Sequence, residues 1–287
     1  MPSGETKLDI VDSQVHLFLT MDDDAAVHAM DALGIHGMLI DEAWDFGEDG
    51  PPQSAMPSYR LPTGQYRPVS PGGRTASMRR PDRFSYLVRV NPEDPDLDFV
   101  MAEMAASPGC RAYRFDSRGD EDAIGSGARM AFFKTAEKHG LAMFIGTPGR
   151  AALFEQYIRA CPSLPVVFDH CGVPLKPEDF DDLLRLAAYP NVHMKWCHAP
   201  TLFGGTAFPF PEVRPVLQRA LDAFGRERIM WGSDFNAVPL LQGMFGGPLY
   251  TWAEALFSTL DNPDLSADDK EWLLGRCARK VLGWERA

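Results

Sequence analysis

Leu8-Asp-Ile-Val-Asp12-Ser-Gln14-Val-His16-Leu17 is the first apolar stretch of the chain, and a polar stripe runs along it. Successive side chains of a strand point to opposite faces, so Asp12, Gln14 and His16 are expected to share one. A buried strand needs a use for such a stripe. For a lone strand histidine a satisfied structural role weighs as heavily as a catalytic one, and only polar company on other strands tips the balance.

Working outward, the same pattern recurs: a short apolar or β-branched run that ends in polar residues. Eight strands are predicted, at 8–16, 36–40, 84–90, 109–115, 141–145, 165–170, 192–196 and 229–234. The segments between them carry apolar residues at helical spacing, such as Leu97, Val100, Met101 and Met104, or Val213, Val216, Leu217, Ala220 and Phe224. Gly34, Gly140 and Gly225 stand where helices end, and Ser266 with Asp269 forms a capping pattern that opens the last helix. Alternating βα units imply a parallel sheet, and eight parallel strands close into a barrel. A length of 287 residues suits one (β/α)8 TIM barrel domain spanning 1–287, since such barrels typically need about 250 residues.

Composition narrows the function. A hydrophobic content of 45% supplies a core, yet no run approaches the ~20 apolar residues of a membrane span. The net charge of −12 repels nucleic acid and anionic membranes, which leaves a small-molecule substrate as the expected partner. The polar N-terminus lacks a secretion signal's apolar segment, so a cytoplasmic protein is expected. Cys110, Cys161, Cys171, Cys197 and Cys277 show no paired spacing and read as buried packing residues in a reducing compartment.

One segment breaks the rhythm. From Glu42 to Asp82, after the second strand, the chain is rich in Pro, Gly, Ser and Arg and shows no sustained period, so it reads as a long loop insertion. It would lie at the mouth and bring Tyr59, Arg60, Tyr66, Arg67, Arg74, Arg79 and Arg80. A lid and a homo-oligomer contact are both open readings.

Barrels of this kind carry their chemistry at the C-terminal strand ends. The polar residues predicted there are Gln14 and His16, Arg111 and Arg114, Asp169 and His170, Lys195 and His198, and Asp234. Asp234 is either a turn aspartate or a base that takes a proton from water. Arg114 and Lys195 need anionic partners, which are either carboxylates such as Asp116 and Asp169 or a bound substrate. His28, His36, His139 and His193 lack such company and read as surface or packing residues.

The set Asp12-x-Gln14-x-His16, Asp169-His170-x-Gly172, Asn191-Val-His-Met-Lys195 and Trp231-Gly-Ser-Asp234 resembles the amidohydrolase-related branch of the amidohydrolase superfamily, which includes lactonases and decarboxylases. The resemblance implies a (β/α)8 barrel. It also marks two departures, because the family usually has a histidine where Gln14 stands and a further one on the fifth strand. An amide is a poor zinc ligand, so a two-metal site is not expected. What remains is either a single divalent metal, zinc, weakly held by His16, His170 and Asp234, or no required cofactor.

The resemblance implies a catabolic hydrolase that opens a lactone, an anionic or carboxylated small molecule. Asp234 would be the general base, and His16 and His170 would bind or polarise the carbonyl. Gln14, Arg114, Lys195, Tyr66 and Trp196 would hold the substrate, with Trp44 and Phe235 helping to shape the pocket. The alternatives are a metal-dependent decarboxylase or other hydrolase of the family, and a catalytically inactive ligand-binding barrel.

Overall fold

The computed structural model describes residues 8–43 and 57–285. Eight strands form one sheet in chain order: β1 (Val11–Val15), β2 (Gly37–Ile40), β3 (Phe84–Arg89), β4 (Cys110–Asp116), β5 (Ala142–Gly146), β6 (Val166–Phe168), β7 (Val192–Trp196) and β8 (Ile229–Trp231). All seven neighbouring pairs are parallel, with helices between the strands. The architecture is the expected (β/α)8 barrel. Two strands stop earlier than their apolar runs suggested, because His170 after β6 and Asp234 after β8 turn into the left-handed region at φ 49° and 45°.

Individual hydrogen bonds between β1 and the end of β8, rather than a backbone ladder, complete the ring. Ser13 Oγ donates to the Trp231 carbonyl at 2.7 Å, and the Asp12 carboxylate accepts from Ser233 N at 2.9 Å. Asp234 N donates to the Gln14 carbonyl at 2.9 Å. Gly232 permits this approach, since a Cβ there would lie 3.0 Å from both Gln14 Cβ and Ser13 Oγ.

Inside the ring, period-two alternation stacks a charged layer on an apolar one. Leu39, Leu87, Ala112 and Val167 belong to the buried interior cluster, and two residues further on come Asp41, Arg89, Arg114 and Asp169. The opposite, N-terminal end is plugged by Cys277, Ala278, Leu282 and Trp284 of the C-terminal segment. One end is sealed with apolar side chains, so the polar site is confined to the other.

The insertion differs from the expected featureless loop. Trp44 lies outside the described residues. Ser58–Arg60 and Tyr66–Pro68 pair as an antiparallel hairpin, and Pro71–Arg79 is a helix that leads into β3. Its Gly72-Gly73 start is a weak helix former. Packing supplies what propensity does not: Gly73 sits against Tyr86 and Ile40, and its N–H donates to Glu42 Oε2 at 2.8 Å. Three arginines of this segment are engaged with carboxylates outside the barrel, Arg67 with Asp94, and Arg79 and Arg80 with Asp23. Gly34 and Gly140 are left-handed helix ends and Ser266 caps the helix Ala267–Glu271, as expected; Gly225 has positive φ but an extended ψ. All five cysteines are buried and unpaired.

Candidate active site

Asp234 is the centre of the C-terminal mouth. Its Oδ2 lies 2.9 Å from His198 Nε2 and 3.8 Å from His170 Nε2, and its Oδ1 lies 3.4 Å from His16 Nε2. The carboxylate is 1% exposed, and Oδ1 has no hydrogen-bond donor among the described residues. Burial works against its charge, but His16, His198 and His170 outweigh burial and hold its pKa well below the ordinary carboxylate range. Burial pushes His16 down to about 4, despite Asp234 beside it, and holds His170 well below its ordinary value. At neutral pH this leaves an ionised carboxylate beside His16 and His170, whose rings burial keeps neutral.

His170, His198 and Asp234 all have left-handed backbones, with φ between 45° and 56°. Such conformations are costly for residues with a Cβ and persist where the surroundings enforce them. They turn the chain at the end of each strand and aim three side chains inward.

Hydrogen-bond partners fix the ring protons. His16 Nδ1 donates to the Asp41 carbonyl at 3.0 Å, so neutral His16 presents a lone pair at Nε2. Arg114 Nη2 lies 3.2 Å from His170 Nε2, and because a guanidinium only donates, the His170 proton sits on Nδ1. That Nδ1 is buried and unpartnered among the described residues.

Below this cluster lies a network of charges. Arg89 grips Asp41 with Nε at 3.0 Å and Nη2 at 2.6 Å. Arg114 reaches Asp41 through Nη1 and Asp169 through Nε at 2.8 Å. Lys195 Nζ lies 2.7 Å from Asp169 Oδ1, 2.6 Å from Gln14 Oε1 and 4.4 Å above the Phe144 ring. Gln14 Nε2 then donates to Asp41 Oδ2 at 3.3 Å. Burial alone would raise the Asp169 pKa, but Arg114 and Lys195 bring it far below the usual value.

Several expectations change here. Asp12 does not share the face of Gln14 and His16: the β1 register shifts between Asp12 and Val15, and its carboxylate turns to Ser233 and to Trp252 Nε1 at 2.7 Å. Arg111, near the start of β4, donates to the Gly283 carbonyl and is absent from the mouth. The polar atoms of Gln14 and Lys195 and the donors of Arg114 are consumed internally, so none of the three offers a free fork or ammonium to a substrate. Trp196 is buried and stacked on Phe203, and Phe235 is stacked on Trp252. Tyr66 is exposed on the hairpin, with no described contact to the cluster. His28 is exposed, while His36, His139 and His193 bond elsewhere.

Sequence reading missed Asp41, Arg89 and Tyr250. The first two were legible as the polar residues that end β2 and β3, two positions beyond interior Leu39 and Leu87. Tyr250, whose hydroxyl is 3.0 Å from His198 Nδ1, comes from a distant loop and left no local signal.

A metal fits this donor set. His170, Cys197, His198 and Asp234, all buried, offer ligand atoms within 4.8 Å of one another. That compact set differs from the expected His16, His170 and Asp234, because the Asp41 carbonyl anchors His16 on the β2 side. His16 Nε2 and Asp234 Oδ1, 3.4 Å apart, would also be available to such an ion. Among the described residues, no helix is long and apolar enough to cross a membrane.

The family model for amidohydrolases, Amidohydro_2, matches residues 74–284. Over 191 residues the chain is 29% identical to an L-fucono-1,5-lactonase of Burkholderia ambifaria, covering 62% of this chain and 64% of that relative, so it spans less than two thirds of the relative's length. A Pseudomonas putida structure described as a candidate 2-pyrone-4,6-dicarboxylic acid hydrolase superposes with a TM-score of 0.67 at 19% identity, covering 97% of this chain and 98% of that one. A zinc-bound amidohydrolase from Burkholderia multivorans gives 0.70 at 17%, covering 96% and 100%. At such identities the solved structures speak for the fold, and the family match covers most of the barrel. The chain belongs to the amidohydrolase family.

Proposed function

We propose that the protein hydrolyses a lactone, with Asp234 as the base toward the attacking water. The observation that carries this reading is a buried, ionised carboxylate ringed by three imidazoles, with one oxygen left unpaired. The activity by which the 29% identical relative is named points to the same bond.

In this reading a water between Asp234 Oδ1 and His16 Nε2 attacks the lactone carbonyl, and its proton passes to Asp234. Neutral His16 has only an acceptor to offer there, so it orients the water and does not polarise the carbonyl. His170, beside Asp234, is assigned to the lactone carbonyl in this reading. When the tetrahedral intermediate collapses, the ring C–O bond breaks and the leaving alkoxide recovers the proton from Asp234. The product is a hydroxy acid. The low pKa of Asp234 limits its strength as a base, which suits an activated cyclic ester better than an amide. A divalent metal, when bound, would add Lewis-acid polarisation of the carbonyl and a more acidic water.

The substrate is an uncharged lactone in this proposal. Arg89, Arg114 and Lys195 stand with Asp41, Asp169 and Asp234, three cations against three carboxylates. Because Arg114 and Lys195 are committed to carboxylates of the barrel, they no longer support an anionic substituent on the substrate.

The test is turnover of a panel of aldonolactones by enzyme dialysed against a chelator, for the wild type and Asp234→Asn. The expected loss for the variant is on the order of 10²- to 10⁴-fold in kcat with KM little changed. Full activity in Asp234→Asn would remove the base. Activity that vanishes on chelation and returns with zinc would favour a metal-dependent hydrolase or decarboxylase instead.

A further inference from the structure

The fifth strand ends without a side chain. Along β5, Ala142 and Phe144 belong to the interior cluster of the barrel, while Met143 and Ile145 pack in the outer core with the helices. Alternation therefore turns the Gly146 position into the barrel, two residues beyond Phe144 and toward the mouth. Its register partner on β4 is Asp116, and because Ile145 pairs with Phe168, the position beside it after β6 is Asp169.

Space for a side chain is open there. Apart from its chain neighbours, the nearest described atom to an added Cβ would be the Phe115 carbonyl oxygen at 4.0 Å. Phe144, Asp169 and Lys195 around it are fully buried, yet Gly146 is partly exposed, so solvent reaches the interior wall at this strand. Neither crowding nor backbone conformation demands a glycine, because Gly146 is not among the residues of positive φ. The contrast is with Gly232, where a Cβ would collide. A strand glycine with no such reason marks a place where another molecule can approach the backbone closely.

The edges of the opening are polar. On one side the Asp116 carboxylate accepts from Arg118 Nε at 2.9 and 3.0 Å, and Arg118 is exposed. On the other side the chain runs on from Asp169 to His170, which lies 3.8 Å from Asp234. The Asp116–Arg118 pair offers acceptor and donor groups with balanced charge, which suits the hydroxyl groups of an uncharged ring.

We propose that Gly146 is a specificity-determining residue: the space left by its absent side chain receives the ring substituents of the substrate, between the Asp116–Arg118 pair and His170. That the ligand is a lactone rests on the proposed function; that this space belongs to a ligand does not.

The experiment fills the space by degrees with Gly146→Ala and Gly146→Leu, and compares a hydroxylated aldono-1,5-lactone with unsubstituted δ-valerolactone. Gly146→Ala is expected to melt no lower than wild type, and a marked loss of stability would show that the space is already taken. Gly146→Leu is expected to raise KM for the aldonolactone on the order of tenfold or more, while kcat/KM for δ-valerolactone stays within about twofold. Equal losses on both lactones, or no loss on either, overturn the proposal. Should Gly146→Leu not fold, Gly146→Ala carries the test, with a loss of about twofold to tenfold confined to the aldonolactone. Binding is measured separately by calorimetry with an aldonolactam, whose ring amide resists hydrolysis. If wild type hydrolyses no lactone but binds the lactam, and Gly146→Leu weakens that binding about tenfold, the hydrolase reading fails and the assignment of this space stands. Equal lactam affinity in wild type and Gly146→Leu overturns the assignment, and a wild type that neither hydrolyses the lactones nor binds the lactam overturns both.

Discussion

The Gln14 amide oxygen accepts a hydrogen bond from Lys195 Nζ at 2.6 Å, joining β1 to β7 inside the barrel. Both residues are fully buried, and Asp169 holds the other side of the ammonium at 2.7 Å. Removing one member of such a buried pair leaves an uncompensated charge, so Lys195→Met is expected to cost about 3–5 kcal/mol. Urea unfolding would measure it. Lys195→Met combined with Asp169→Asn should recover part of the loss, whereas a single-variant cost below about 1 kcal/mol would show that the network is not structural.

Stability should rise with pH between about 4 and 6.5. Burial pushes both His16 and His193 down to about 4, below the ordinary 6.5, so in that window the unfolded chain binds more protons than the folded one. Their contribution is complete above the ordinary value and is lost as pH falls toward 4. Asp12 opposes them, because burial raises it to about 6 and the folded state then holds the extra proton between its ordinary value and that pH. Each shift amounts to about 3 kcal/mol at most, so two histidines, joined by His170, outweigh one aspartate. Denaturant midpoints that stay flat or fall from pH 4.5 to 6.5 would contradict this.

The β1/β8 seam makes Gly232 sensitive to a single methyl group. Gly232→Ala places a Cβ 3.0 Å from Gln14 Cβ and Ser13 Oγ, on two residues that are themselves tied down. Overpacking of this kind typically costs about 1–3 kcal/mol. Because Asp234 N is bonded to the Gln14 carbonyl, the same shift should lower kcat. Unaltered stability together with unaltered kcat would mean that the seam is looser than these distances imply.

The barrel was legible because β-branched runs alternating with helical periodicity need no long-range information. The site was legible only where strand ends announced it. His16, His170 and Asp234 each close an apolar run, and the structure brings the two imidazoles to the Asp234 carboxylate. Asp41 and Arg89 were overlooked although they end runs in the same way, because a lone charge after Ile40 or Val88 resembles an ordinary strand exit. The shared face of Asp12 and Gln14 failed for a different reason: a register shift reverses the alternation, and no spacing in the sequence announces it. The helix Pro71–Arg79 was hidden because tertiary packing, and not propensity, makes its glycines helical. Arg114 and Lys195 show the limit of reading residue types one at a time, since whether a buried cation faces substrate or carboxylate depends on a partner many residues away.

Lys195, held between Gln14 and Asp169, is expected to limit the site to one metal ion. Restoring an imidazole with Gln14→His would not create a second metal site, because the space around that side chain is taken by the Lys195 ammonium and its Asp169 partner. A cation is already there. The variant is expected to lose stability, through loss of the acceptor for Lys195 and the donor to Asp41, and to bind no more than one equivalent of zinc per chain. Metal content after zinc loading and gel filtration, measured beside the wild type, decides the point: two equivalents on Gln14→His would mean that the lysine yields to an ion and that the site is one substitution from a two-metal centre.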